Sequence, residues 1–146
     1  MISKNAIFTG ILTAIMFTTT SQYQFIDAAP LTLDIKRAAN PGPGFGDEKI
    51  GTVTLDATAD TMTLNSNVNA TPGQDKVFEG WLVDNQGSNY KLSVGKYNDA
   101  NLTFSQSMVN PFTYSQFIIT EEPINDVDPN AAPTYGGTDL RPPFSQ

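Results

Sequence analysis

The adjacent carboxylates Glu121 and Glu122 are the first residues of this chain whose types could support catalysis. Glycosidases use two carboxyl groups that face one cleft at a defined separation. Neighbouring residues on a strand point to opposite faces of a sheet. Residues 117–120 are apolar or β-branched and predict a strand that ends at this pair. We therefore interpret the two glutamates as a solvated strand end, with Pro123 stopping the ladder.

A second group, residues 125–130, has the sequence Asn-Asp-Val-Asp-Pro-Asn. Its oxygen-bearing side chains alternate as they do in Ca²⁺ loops, which makes Asp126, Asp128 and Asn130 weak candidate ligands. The glycine that such a loop needs is replaced by Ala131, and no glutamate closes the loop. A polar turn or tail explains the same residues, so we predict no cofactor, with Ca²⁺ as the one alternative.

Lys76, Glu79 and Ser93 are the residue types of a Ser–Lys hydrolase, but the Gly-x-Ser-x-Gly turn that strains a nucleophile is absent. The chain of 146 residues also contains no Cys and no His. That composition excludes thiol nucleophiles, His general bases, disulfides and zinc sites built from Cys or His. We therefore expect a protein that is not an enzyme.

The formal net charge of the chain is −7, and its sequence pI is near 4.2. An acidic chain repels phosphate backbones and anionic lipid surfaces. Its basic residues are scattered along the sequence and form no patch. We therefore expect no nucleic-acid partner, and contact with a membrane only through an uncleaved leader.

Residues 1–29 resemble a signal peptide and leader. Lys4 supplies the positive start, and an apolar stretch of roughly a dozen residues follows through Phe17. Spanning a bilayer takes about 20 predominantly apolar residues, so this run is too short. Cleavage near Thr20 or Ser21 and cleavage after Ala29 are both open, and a buried N-terminal element or an uncleaved anchor are the alternatives. We predict an extracytoplasmic protein, secreted or at the cell surface.

Two glycosylation sequons agree with export. They are Asn69-Ala70-Thr71 and Asn101-Leu102-Thr103. Such triplets are frequent in a chain rich in Asn and Thr. If the chain is glycosylated, Asn69 and Asn101 must lie on the surface.

From Leu31 onward, apolar and polar residues alternate with a period of two, which predicts half-buried strands. About seven short strands, separated by turn signals at roughly ten-residue spacing, are typical of an antiparallel β-sandwich of Ig-like type. The predicted strands cover residues 31–35, 53–57, 62–64, 77–83, 90–97, 102–104 and 117–120. We assign residues 30–122 to this sandwich domain and residues 123–146 to a C-terminal strand or tail rich in Pro, Asn and Gly.

The most apolar predicted strand is residues 77–83, which is apolar on both faces except at Glu79 and therefore reads as a central strand. Trp81, the only tryptophan, lies in this strand. We interpret it as a core residue that covers the sheet interior, because ligand stacking would need it exposed. The predicted core residues are Phe78, Trp81, Leu82, Leu92, Phe117 and Ile119.

The block from Phe78 to Gly137 resembles the extracytoplasmic C-terminal domain of the anti-sigma-K factor family. Four elements carry the resemblance. The first two are the aromatic-x-x-Trp-Leu strand at residues 78–82 and the Gly-containing turn at 85–87. The other two are a strand ending in Gly95 before Tyr97, and the strand at 117–123 that closes in Thr-Glu-Glu-Pro, with Pro133-Thr134 beyond it. The resemblance implies a β-sandwich outside the membrane. The sigma-binding helical region and the transmembrane helix of that family are missing, so the resemblance does not extend to sigma-factor capture.

Taken together, these patterns predict an exported, non-enzymatic β-sandwich that binds or senses a protein partner. The alternative is a structural subunit of an extracellular fibre or sheath. In that interpretation the N-terminal segment, with suitable alternation in the second half of residues 23–35, is donated to the open sheet edge of a neighbour.

Overall fold

The computed structural model describes residues 29–58, 60–126 and 132–141. This part of the chain is all-β and antiparallel, as the alternation predicts. Its one helical element is a short 3-10 helix at Pro111–Thr113. The strands are β1 (Leu31–Ala38), β2 (Phe45–Ala57), β3 (Thr61–Val68), β4 (Lys76–Val83), β5 (Lys91–Lys96), β6 (Asn101–Ser107), β7 (Gln116–Pro123) and β8 (Thr134–Asp139).

The leader prediction falls on residues 1–28, which lie outside the described residues. Two of the candidate Ca²⁺ ligands, Asp128 and Asn130, lie outside them as well. Within the described ranges, the chain has no helix with the length and apolar character that crossing a membrane requires.

All eight strands belong to one sheet, in the order β5-β4-β7-β8-β1-β2-β3-β6. The two outermost strands, β5 and β6, are consecutive in the chain and are joined by a tight turn. An isolated bridge between Asn98 and Asn101 closes that turn. The sheet therefore curls into a nearly barrel-shaped layer around one main core.

The β2–β3 hairpin shows how alternation builds this core. Val53 and Leu55 on β2, and Met62 and Leu64 on β3, are fully buried on the inner face. Leu55 lies opposite Leu64 in the register, while the polar pair Thr54 and Asn65 turns outward one position away. Burial of each such aliphatic side chain stabilises the fold by about 1.5–3 kcal/mol, so a register slip by one residue is strongly disfavoured.

Strand β8 is the element that the alternation does not mark. It pairs with β7 along its length and with β1 at Lys36 and Arg37, so it lies inside the sheet. Its centre is Gly136-Gly137, which carries no side chains to alternate. The glycines are needed for close packing, because a Cβ on Gly137 would lie 2.7 Å from the ring of Phe45. The C-terminal segment, predicted as a strand or tail, thus supplies a strand of the same sheet.

Both faces of strand β4 are buried, and each face contributes side chains to a different hydrophobic cluster. Phe78 and Leu82 point into the main core. Trp81 is also buried, yet it belongs to a second cluster on the opposite face. There it packs with Val83 and Ile118, and the partly buried Phe45 covers them. Trp81 is therefore buried, as expected of a core residue, but in the second cluster, because its position is odd where the residues that face the main core are even.

Candidate functional site

The two edges of the sheet, β5 and β6, are the candidate site for binding an extended partner. Among the described residues each pairs with one neighbouring strand, β5 with β4 and β6 with β3. The bridge at Asn98 and Asn101 joins them at their common turn. Beyond that turn no ladder connects them within the described residues. An open sheet edge presents unpaired backbone donors and acceptors, which are a template for another strand.

The hydrogen bonds at the two ends of β6 show which of its residues point their backbone N–H and C=O groups toward β3. The amide of Met108 donates to the carbonyl of Asp60, and the amide of Val68 donates to the carbonyl of Ala100. Ala100 and Met108 flank β6 on either side, and the β3–β6 register is continuous between them. The even-numbered residues of β6 are therefore the ones hydrogen-bonded to β3. Since hydrogen-bonded and non-bonded pairs alternate in an antiparallel ladder, the odd residues point their N–H and C=O groups away from β3. Those outward groups belong to Thr103, Ser105 and Ser107, because Asn101 uses its own in the bridge to Asn98.

The core is incompletely covered along these edges. Leu82 on β4 and Leu64 on β3 are 0% exposed. Their cross-strand partners on the outer strands, Leu92 on β5 and Phe104 on β6, are only partly buried although they pack against the same core. A strand added beside β6 would cover Phe104 and remove apolar surface from water.

The two edges differ in how well they are protected against pairing. Strand β5 carries exposed Lys91 and Lys96 at its ends, and Gly95 adopts a φ of 116°. Edge lysines and backbone irregularities are devices that discourage strand addition. Strand β6 has the sequence Asn-Leu-Thr-Phe-Ser-Gln-Ser, with no charge and no proline in seven residues. The receptive edge is therefore β6.

The chain leaving β6 limits the length of this edge. Asn110 caps the 3-10 helix by accepting a hydrogen bond from the amide of Phe112 at 3.1 Å. Met108 and Phe112 are partly buried against the main core. The amide of Ser115 then donates to the carbonyl of Val83. The segment 108–115, which connects β6 to β7, thus packs against the core. Leu102 is buried at the start of β6, and the exposed side chains of the strand beyond it are Thr103, Ser105, Gln106 and Ser107.

The structure separates the two adjacent glutamates, as the strand geometry predicts. Glu121 Oε1 accepts from the amide of Gly73 at 2.6 Å, and Glu121 Oε2 lies 3.2 Å from the Lys76 ammonium. The Gly73 hydrogen bond, aided by Lys76, lowers the pKa of Glu121 below its ordinary value. These contacts of Glu121 stabilise the loop before β4.

Glu122 lies on the other face and is 3% exposed. One carboxylate oxygen accepts from the amide of Ala132 at 2.9 Å. The other oxygen, Oε2, is buried without a hydrogen-bond partner in the part of the chain that the structure describes. Glu122 therefore contributes to packing the return from β7 to β8, and it does not face Glu121.

The Ser–Lys combination is not assembled either. Ser93 donates to Glu79 at 2.5 Å across the β4–β5 pair. Lys76, the first residue of β4, forms an ion pair with Glu121. Ser93 therefore has a carboxylate as its neighbour, and the lysine that would activate it is bound elsewhere.

Of the three candidate Ca²⁺ ligands, the structure describes Asp126 alone. Among the described residues no group of three or more acidic side chains is placed to hold a metal ion. Both sequon asparagines, Asn69 and Asn101, are exposed. The Asn101 side-chain oxygen accepts from the amide group of Asn67 at 3.0 Å. The Ca²⁺ and glycosylation hypotheses remain predictions.

The predicted core residues occupy two places. Phe78, Leu82, Phe117 and Ile119 are buried in the main core, with Leu92 at its partly exposed margin. Trp81 lies in the second cluster. Sequence reasoning did not single out β6 as a site, although seven residues without charge or proline were a visible signal.

Comparison of the chain with models of protein families, with curated proteins and with solved structures found no match.

Proposed function

We propose that this protein is an exported, non-enzymatic β-domain that binds an extended segment of a protein partner along β6. The observation that carries the proposal is the unprotected edge of β6, which has outward backbone groups at Thr103, Ser105 and Ser107. An incoming strand would complete the ladder with main-chain hydrogen bonds, and alternate side chains would supply specificity.

The side chains beside the edge define the chemistry of the partner strand. One face of the added strand would meet Phe104 and the margin of the core near Leu92. The other face would meet the exposed hydroxyls of Thr103 and Ser105. The partner segment that fits is therefore one with alternating apolar and polar residues and no proline.

The proposal includes a layered arrangement of the curled sheet. Its half β5-β4-β7-β8 would face its half β1-β2-β3-β6 as the two layers of a flattened sandwich, with the main core between them. Inner residues such as Leu82 and Phe117 from the first half, and Leu55 and Leu64 from the second half, share one cluster, which supports this description. The resemblance to the extracytoplasmic domain of anti-sigma-K factors also supports a sandwich that works outside the membrane.

A photo-crosslinking side chain at position 105 of the exported protein tests the binding proposal. We expect a discrete protein adduct from position 105 and none from position 134, since Thr134 is exposed on β8, which three strands separate from β6 in the strand order. Adducts of equal yield at both positions, or recovery of the native protein from the cytosol, would refute the proposal.

A structural subunit of an extracellular fibre or sheath is the second candidate. The observation that favours it is the position of β1, between β8 and β2 and away from both outer strands. Strand β1, which follows the N-terminal segment, is separated from β6 by two strands. A donor and an acceptor on different surfaces would join copies into a chain.

A further inference from the structure

We infer that the strand received by β6 is residues 21–28 of a second copy of this chain, so that copies join head to tail. This inference rests on the proposed function and names the partner for the same edge. It differs from donation by residues 31–35. Those residues are already paired with β2 inside their own fold, so the donor must lie before β1.

The first half of the donor sequence has the required pattern. Residues 21–28 read Ser-Gln-Tyr-Gln-Phe-Ile-Asp-Ala. Tyr23 and Phe25 alternate with Gln22 and Gln24, and the alternation ends at Phe25, because Ile26 and Asp27 exchange the apolar and polar faces. The segment has no proline and no glycine. Its eight residues match the seven residues of β6 in length, since both advance by about 3.3 Å per residue when extended.

The donor also matches the chemistry of the edge. Tyr23 and Phe25 would point inward against Phe104, which an added strand would cover. Gln22 and Gln24 would point outward beside the hydroxyls of Thr103 and Ser105 on β6. An aromatic pair across neighbouring strands stabilises a sheet in addition to the backbone ladder.

The strand order determines what kind of assembly results. Two strands separate β1 from β6, and three separate β1 from β5. The donor therefore leaves from one part of the curled sheet and the acceptor edge lies in another. An interface between two different surfaces is heterologous, and it generates rings or open filaments instead of a closed two-fold dimer.

The acceptor variant is Ser105→Pro in the full chain, expressed with its leader and exported. The amide of Ser105 points away from β3, so proline removes a donor from the open edge without removing a rung of the β3–β6 ladder. The donor variant is Tyr23→Lys with Phe25→Lys, which places two charges on the inward face of the added strand. Both donor positions precede the first described residue, 29, so the melting temperature of this variant is compared with that of the unaltered protein as well.

Light scattering after gel filtration should show polymers of the unaltered protein and monomers of each variant alone. An equimolar mixture of the two variants should give a one-to-one dimer and nothing larger, because one good donor and one good acceptor remain. Mass spectrometry should place the mature N-terminus at or before Tyr23. A melting temperature within a few degrees of the unaltered protein establishes that the acceptor variant is folded. If proline unfolds it, Ser105→Lys takes its place, with the same expected result.

A mixture that stays monomeric, polymers of the donor variant alone, or a mature N-terminus after Ala29 would each overturn the inference. The proposed function can hold even where this inference fails. If position 105 crosslinks to a different protein while the variants show no self-assembly, β6 is a binding edge whose partner is another chain. If position 105 yields no adduct at all, both proposals fall.

Discussion

The indole N–H of Trp81 donates a hydrogen bond of 2.9 Å to the hydroxyl of Thr120. The two residues lie on neighbouring strands, on the face of β4 and β7 that is opposite to the main core. Thr120 is 0% exposed and Trp81 is 6% exposed, so neither group has ready access to water. This bond satisfies the only polar atom that the tryptophan brings into the second cluster.

Thr120→Val should destabilise the protein by about 1–3 kcal/mol, because the valine keeps the shape of the side chain and leaves a buried indole N–H without a partner. Urea unfolding followed by the fluorescence of Trp81 measures the change. The matched control is Thr32→Val on the exposed face of β1, where we expect a change below about 0.5 kcal/mol. Equal costs at the two positions would contradict this account of the bond.

Gly51→Ala should be among the most damaging single substitutions in β2. A Cβ at this position would press into the backbone of β3, within 3.0 Å of the Asn67 carbonyl carbon. The strands would have to separate, and we expect a loss of about 1–3 kcal/mol or more in thermal or urea unfolding. Gly46→Ala is the control in the same strand, since its nearest neighbour would be 3.6 Å away. It should leave stability nearly unchanged.

Glu121 should make stability depend on pH in the acid range. Its hydrogen bond from Gly73, followed by its contact with Lys76, lowers its pKa in the folded state. Its stabilising contribution is therefore present above the ordinary carboxyl pKa and is lost as the pH falls through the lowered folded value. Because the group is partly exposed, we expect less than about 1 kcal/mol. Melting temperatures between pH 2 and pH 7 should vary less in Glu121→Gln, and Lys76→Met should have the smaller effect, since Gly73 is the larger cause.

Tyr97 should make stability depend on pH in the alkaline range. Burial raises the pKa of its phenol above the ordinary value of 10.0, although a hydrogen bond of 2.6 Å with Ser66 opposes the shift. The stability this residue confers is complete below pH 10 and falls as the pH rises further, because only the unfolded chain ionises there. The loss is about 1 kcal/mol at one pH unit above the ordinary value. Urea unfolding at pH 9 and pH 11 should show a smaller decline in Tyr97→Phe; an equal decline would contradict the prediction.

The amino-acid sequence determined the strand class and most strand positions of this protein, because alternation is a local property that follows from the period of two along a strand. Leu31, Leu33 and Ile35 alternate with polar residues and lie in β1, and the apolar run at residues 77–83 lies in β4. The separation of Glu121 from Glu122 followed for the same reason. The absence of Cys and His excluded whole classes of chemistry without any structure.

Only the tertiary structure decided which strands are neighbours and which remain at the edge. Strand pairing is a contact between residues distant in sequence, so nothing local in β6 reveals that β3 is its one paired neighbour among the described strands. The C-terminal segment could be predicted only as a strand or tail, because Gly136 and Gly137 at the centre of β8 carry no periodic signal. Close packing leaves no room for a Cβ there, against Ile50 at Gly136 and against Phe45 at Gly137. The sequence also did not determine which face of β4 carries Trp81, since both faces of that strand are apolar and alternation cannot distinguish them. The direction of the Ser105 amide, on which the proposed assembly depends, follows from a hydrogen-bond register that exists only when β6 lies against β3.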